Sequence, residues 1–162
     1  MSTPWMDVAK RLLNTKEAKG SSNNPVIISW AKKLGGWVSS FYTKDDIPWC
    51  GLFVAHGHRE AGAQNLPGSP LSALAWGGYG GETLPRIGAV MVFKRPGGGH
   101  VGFYVAENAT SYLIRGGNQS DSVTDAWISK SRFVDARWPK EFPVNTKPNV
   151  VSHQGRLSTN EA

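Results

Sequence analysis

Apolar residues first recur at helical spacing. Trp5, Val8 and Leu12 fall on one face of a segment that opens with Thr3 as N-cap and Pro4 at the first helical position, which predicts a helix to Asn14. The polar stretch 15–23, with Gly20, predicts a loop. Asn24-Pro25 repeats the capping signal, Ile27, Ala31 and Leu34 keep the helical period, and Gly35-Gly36 ends the element. Asp45-Asp46-Ile47-Pro48 then precedes the apolar run from Trp49 to Ala55. Acids and a proline where a helix start prefers them predict a third helix, reaching Gly62, with Cys50 in its first turn.

The pattern changes after that helix. Residues 64–86 are rich in Gly, Pro and Ser around Trp76-Gly77-Gly78-Tyr79-Gly80-Gly81 and predict a loop. Ile87–Phe93 and His100–Val105 are short apolar runs separated by Lys94-Arg95-Pro96-Gly97-Gly98-Gly99, which predicts a hairpin with a long, flexible connection. Ser111–Arg115 predicts a third strand ended by Gly116-Gly117, and a further short strand is expected over 133–138. From Lys140 the chain is polar and aperiodic, so 140–162 is expected to be a peripheral or mobile tail. Helices first and adjacent strands afterwards indicate one α+β domain over 1–139, its N-terminal helices packed on a small antiparallel sheet.

Composition narrows the class. A chain of 162 residues with 40% hydrophobic and 19% charged positions suits a single globular domain rather than a disordered segment. No apolar run approaches the roughly 18 residues that span a bilayer, and the first residues lack the basic and apolar regions of a secretion signal. Neither stable membrane insertion nor a signal peptide is expected. The net charge of +6 favours an anionic partner: nucleic acid, lipid or a cell-wall polymer. The basic residues are scattered, and Gly97-Gly98-Gly99 lacks the Lys-Ser/Thr and helix of a phosphate loop, which argues against nucleic acid.

The single cysteine, Cys50, excludes an internal disulfide framework and a thiolate zinc cluster. At a helix N-terminus, the dipole and the unpaired N–H groups favour its thiolate, although a lone cysteine is most often an inert core residue unless a base accompanies it. His56 and His58 lie on the same helix, roughly 9 and 12 Å along the axis, out of hydrogen-bond reach. Two residues apart, they also make a poor metal pair, and His153 lies in the tail. His100, after three glycines and at the start of a strand, is the candidate base. Asn118 is the candidate third residue, its carbonyl oxygen fixing the far ring nitrogen, though an asparagine after two glycines is also an ordinary turn residue. The backbone N–H of Cys50 is the candidate oxyanion donor.

Pro48-Trp49-Cys50-Gly51-Leu52-Phe53-Val54, Gly99-His100-Val101-Gly102-Phe103-Tyr104-Val105, Gly116-Gly117-Asn118-Gln119 and Arg137-Trp138-Pro139 occur in that order. Together they resemble the CHAP-like cysteine peptidoglycan hydrolases, close to the NlpC-type papain-like group. Trp5, Ala9, Glu17, Gly20, Asn24-Pro25 and the segment Pro85–Phe93 extend the resemblance over residues 4–139. It implies a papain-like fold, with Cys50 as nucleophile, His100 as general base and Asn118 as the orienting residue in cleavage of a peptidoglycan amide. The bond is the muramoyl–L-alanine amide or one within the stem peptide. Many members carry a glutamate just before that asparagine, where this chain has Gly116 and Gly117. An acidic calcium loop, found in some relatives, is not evident, so neither metal nor cofactor is expected.

Trp76 and Tyr79 are expected walls of the substrate groove, with packing over the sheet as the alternative. Glu17, Asp46, Trp49 and Gln119 are expected substrate contacts. The implied setting is a monomeric phage or prophage endolysin, made in the host cytoplasm, reaching the wall with holin assistance and acting on peptidoglycan. An interbacterial amidase effector and a noncatalytic wall-binding module are the alternatives.

Overall fold

A computed structural model of the chain describes residues 3–18, 23–42, 48–152, 155–159 and 161. Helix α1 (Pro4–Arg11) begins where Thr3-Pro4 predicts and ends before Asn14, whose φ of 73° is left-handed. Helix α2 (Pro25–Leu34) is capped by Asn24, whose side chain accepts from the Val26 N–H at 2.8 Å. A short helix absent from the sequence expectation, α3 (Gly36–Phe41), follows directly, because Gly35 and Gly36, both at positive φ, redirect the helix without ending helical structure. Helix α4 (Cys50–Glu60) starts at the cysteine itself and stops short of Gly62. Asp45 and Asp46 lie outside the described residues.

Six strands of the described chain form one antiparallel sheet: β1 (Gly81–Glu82), β2 (Val90–Arg95), β3 (Gly98–Glu107), β4 (Ser111–Gln119), β5 (Ser122–Ser129) and β6 (Phe133–Trp138), ordered β1-β6-β2-β3-β4-β5. The α+β expectation holds, with three differences. The β2–β3 connection is a tight Pro96-Gly97 turn rather than a long flexible one: Pro96 presets one turn angle and Gly97, at φ 80°, supplies the left-handed one. Strand β4 runs through Gly116-Gly117 to Gln119. It pairs with β5, which the sequence expectation lacks because Ser122–Ser129 mixes polar and apolar residues without a clean alternation. The loop 64–86 contains a 3-10 helix, Ala73–Gly78.

Helix α4 lies on the sheet, and Phe53 meets Phe103 of β3 edge-to-face at 5.9 Å. Trp5 of α1 closes one flank, donating its indole N–H to the Gly88 carbonyl at 2.8 Å and packing against His58 and Trp138. The tail is also anchored where it is described. Val151 N–H donates to Glu107 O, Ser158 N–H donates to Trp127 O, and Glu161 bridges to Gln119. Where it is described, the tail lies along the outside of the domain, as expected for a peripheral segment, and is held there by isolated bridges to β3, β4 and β5. No helix of the described residues is long and apolar enough to cross a membrane.

Candidate active site

Glycines bring the pieces of the site together. A Cβ on Gly51 would sit 2.0 Å from the Pro70 carbonyl oxygen, so only glycine lets the 64–86 loop close over the first turn of α4. A Cβ on Gly117 would lie 2.7 Å from Phe53 Cβ and 2.8 Å from the Trp49 ring, so β4 passes directly beneath the helix start. The cysteine's height above the sheet is thereby fixed by residues on both sides of it.

The Cys50 thiol is buried and free of disulfide. Backbone groups of Gly51, of Cys50 itself and of Val101, the β3 residue that follows His100, act on the thiol in favour of its thiolate. Burial pushes the thiol up to about 11, against the pull of those backbone groups and of Arg95. The expectation that the helix start favours thiolate is thus reversed: desolvation outweighs the dipole, and the resting thiol is neutral at pH 7.

His100 is wholly buried in β3. Its Nε2 lies 2.9 Å from Gln119 Oε1. The Gln119 amide is locked by its other end, since Nε2 of Gln119 donates to the Ile114 carbonyl at 3.1 Å and the Thr124 carbonyl at 2.7 Å. Carbonyls only accept, so Oε1 is the atom facing the imidazole, and His100 Nε2 carries the proton. Nδ1 is left as a bare lone pair, buried and without a hydrogen-bond partner. Burial holds the ring down at about 4, against the opposing effects of Gln119 and Glu161. β3 thus carries a neutral imidazole with an unused acceptor nitrogen, one residue before the Val101 backbone that acts on the neutral Cys50 thiol.

The partner of His100 is Gln119, not Asn118. Asn118 sits at φ 58°, in the left-handed kink that carries the chain from Gly117 to Gln119. Gly116 makes the room: a Cβ there would lie 2.5 Å from Gln119 Oε1 and 3.3 Å from His100 Nε2. Gly116 and Gly117 are spacers, one for the His–Gln pair and one for the helix.

Several expected substrate contacts are core residues instead. Trp49 is fully buried, packs on Trp30 and donates its indole N–H to Glu17 Oε1 at 2.9 Å, so Glu17 ties the 15–18 segment to the helix start. Trp76 is fully buried with its N–H on the Pro70 carbonyl, and Tyr79 is buried against Trp76 and His58. Their large rings fill space beneath the loop, the packing alternative. Gln119 is 1% exposed and engaged with His100, so it is not a surface contact. Asp46 and His153 fall outside the described residues.

The surface that does open at Cys50 is a cavity of about 370 Å³ lined by Pro48, Leu71–Leu74 and Arg95–Gly99. Arg95 and the exposed Leu74 are the residues that sequence reasoning passed over; both stand in segments read as connections. A signal for Arg95 existed in its position two residues before the triple glycine that leads into His100. Among the described residues no group of three or more His, Cys, Asp or Glu is gathered as a metal ion requires. No protein-family profile, curated protein or solved structure matches the chain.

Proposed function

We propose that the protein is a cysteine-dependent hydrolase that cleaves an amide bond of bacterial peptidoglycan, built on a papain-like version of its α+β fold. The observation that carries this reading is the fixed tautomer of His100: Gln119 holds the proton on Nε2 and leaves Nδ1 bare, one residue before Val101, whose backbone acts on the Cys50 thiol. An unpaired buried acceptor costs about 1–3 kcal/mol and is shared by His58; what His100 adds is a proton fixed on its other nitrogen by a locked amide. A general base requires that bare acceptor.

Because thiol and imidazole are both neutral at rest, the proton moves with the attack rather than before it. His100 Nδ1 takes the Cys50 proton as sulfur bonds to the amide carbonyl carbon, giving a tetrahedral oxyanion. The imidazolium returns that proton to the amide nitrogen, the C–N bond breaks, and a thioester remains. Water, deprotonated by Nδ1, adds to the thioester; carboxylate leaves and the thiol is restored. In this reading the backbone N–H of Cys50, at the start of α4, is the oxyanion donor. The net charge of +6 favours contact with an anionic wall, and we infer a lytic, endolysin-type role from that chemistry.

The test is mass spectrometry of purified peptidoglycan after digestion, with Cys50→Ala as control. Free stem peptides mark an amidase, and shortened or uncrosslinked stems still on sugar mark an endopeptidase. No Cys50-dependent product from several wall types overturns the reading in favour of a noncatalytic binding module.

A further inference from the structure

The tail brings a buried carboxylate into a cleft that adjoins the Cys50 cavity. Glu161 is 3% exposed; its Oε1 accepts from Arg132 Nη2 and its Oε2 accepts from Ser158 Oγ at 2.7 Å. Its backbone carbonyl accepts from Arg95 Nη1, and the residue bridges to Gln119. Arg95 and Pro96 also line the cavity that opens on Cys50, so the Cys50 cleft and a second cleft lined by Arg95, Arg132 and Glu161 share one wall. Burial acts to raise the Glu161 carboxyl, yet Ser158, Arg132 and His100 together hold it below the ordinary carboxylate value, so it is an anion here. A carboxylate with its own cationic socket, next to the reacting residues, has the position that an anionic ligand's carboxylate would occupy.

We propose that Arg132, with Arg95 beside it, forms a carboxylate-binding subsite for the acidic stem peptide of the substrate, and that the Glu161 carboxylate of the same chain occupies it on Arg132 as an internal competitor. The proposal rests on the peptidoglycan-hydrolase reading and adds to it the chemical group recognised beside the scissile bond. A guanidinium pair suits this task, because it offers several N–H donors to a planar anion at any physiological pH. A tethered competitor acts at a high effective concentration, so its release raises the affinity for a free carboxylate ligand without any new contact.

Fluorescence anisotropy of a fluorescein-labelled stem tripeptide with free carboxylates, and of its carboxamide twin, tests this on the full chain carrying Cys50→Ala so that no cleavage intervenes. Glu161→Gln is expected to tighten binding of the acid tripeptide by about tenfold and to leave the carboxamide twin unchanged. Adding Arg132→Gln abolishes that gain, while Arg132→Lys retains part of it. Arg95→Gln, read in the same way, serves if the Arg132 variant does not fold. No tightening, equal tightening of the twin, or a gain that survives loss of the arginines overturns the proposal and leaves Glu161 as a structural latch. Failure of the hydrolase reading looks different: no Cys50-dependent wall product, whatever the tripeptide does.

Discussion

His58 and His100 are both wholly buried, and burial holds both below the usual imidazole range, at about 3 and about 4. Their surroundings differ in kind. His58, on α4, sits in a box of Trp5, Trp76, Tyr79 and Phe103 with ring centroids 5.2–5.9 Å away, and neither of its nitrogens has a hydrogen-bond partner. Nothing there selects a tautomer. His100 has one nitrogen committed to a locked amide and one left bare, with the thiol against its strand. A depressed pKa and deep burial are therefore shared by a space-filling ring and a candidate base. A fixed tautomer beside a nucleophile is what separates them.

Substitution at the two positions sharpens that contrast most. His100→Ala is expected to lower peptidoglycan turnover by about 10³-fold or more, with a thermal midpoint close to wild type. His58→Phe keeps the aromatic contacts, removes two unsatisfied polar atoms and is expected to retain turnover within about threefold, with stability unchanged or raised. Comparable losses of turnover at both sites, in folded variants, would break the distinction.

Gln119→Ala comes next. Without the amide, the ring no longer holds its proton on Nε2, and turnover is expected to fall by roughly 10²-fold. Gln119→Glu places a carboxylate against Nε2–H, which raises the imidazole pKa and moves the acid limb of the pH–rate profile to higher pH. A profile unchanged in Gln119→Glu would remove Gln119 from the mechanism.

What was legible from sequence follows the same division. Caps and periodicity placed α1 and α2, and the apolar runs placed β2 and β3, because local chemistry decides those elements. Cys50 and His100 stood out as a lone thiol at a helix start and an imidazole behind three glycines. The choice between Asn118 and Gln119 was not legible, because it depends on the left-handed turn at Asn118 and on the Ile114 and Thr124 carbonyls, brought together only by the β4–β5 pairing. The burial of Trp49 and Trp76 was not legible, because an aromatic residue beside a site has the same sequence signature whether it lines a groove or fills the core. The upward push on the thiol was not legible either, because helix-start position is local, whereas desolvation comes from the loop and sheet that close over it.

The buried histidines also make stability depend on acid. A histidine whose folded pKa lies below its unfolded value near 6.5 binds fewer protons folded than unfolded. Stability from these sites is complete above that value and falls with pH until the folded pKa is reached. Each pH unit below 6.5 costs up to about 1.4 kcal/mol per site, down to about pH 4 for His100 and pH 3 for His58. Denaturant titrations at pH 7 and pH 5 are expected to show the loss, and His58→Phe is expected to remove one site's share. A His58→Phe variant as acid-sensitive as wild type would show that His58 is not charged on unfolding from a neutral buried state.

The smallest expected effect tests the assignment of the orienting residue. Asn118 holds φ 58°, a conformation that costs an ordinary L residue about 1–2 kcal/mol and glycine almost nothing. Asn118→Ala therefore carries a backbone penalty that lowers stability whatever its side chain does, and it confuses the two roles. Asn118→Gly removes the carboxamide while keeping the turn, so its kcat is expected to stay within about threefold of wild type if Gln119 alone orients His100. A loss as large as that of Gln119→Ala, with the fold intact, would return the orienting role to Asn118 and make the Gln119 contact its support.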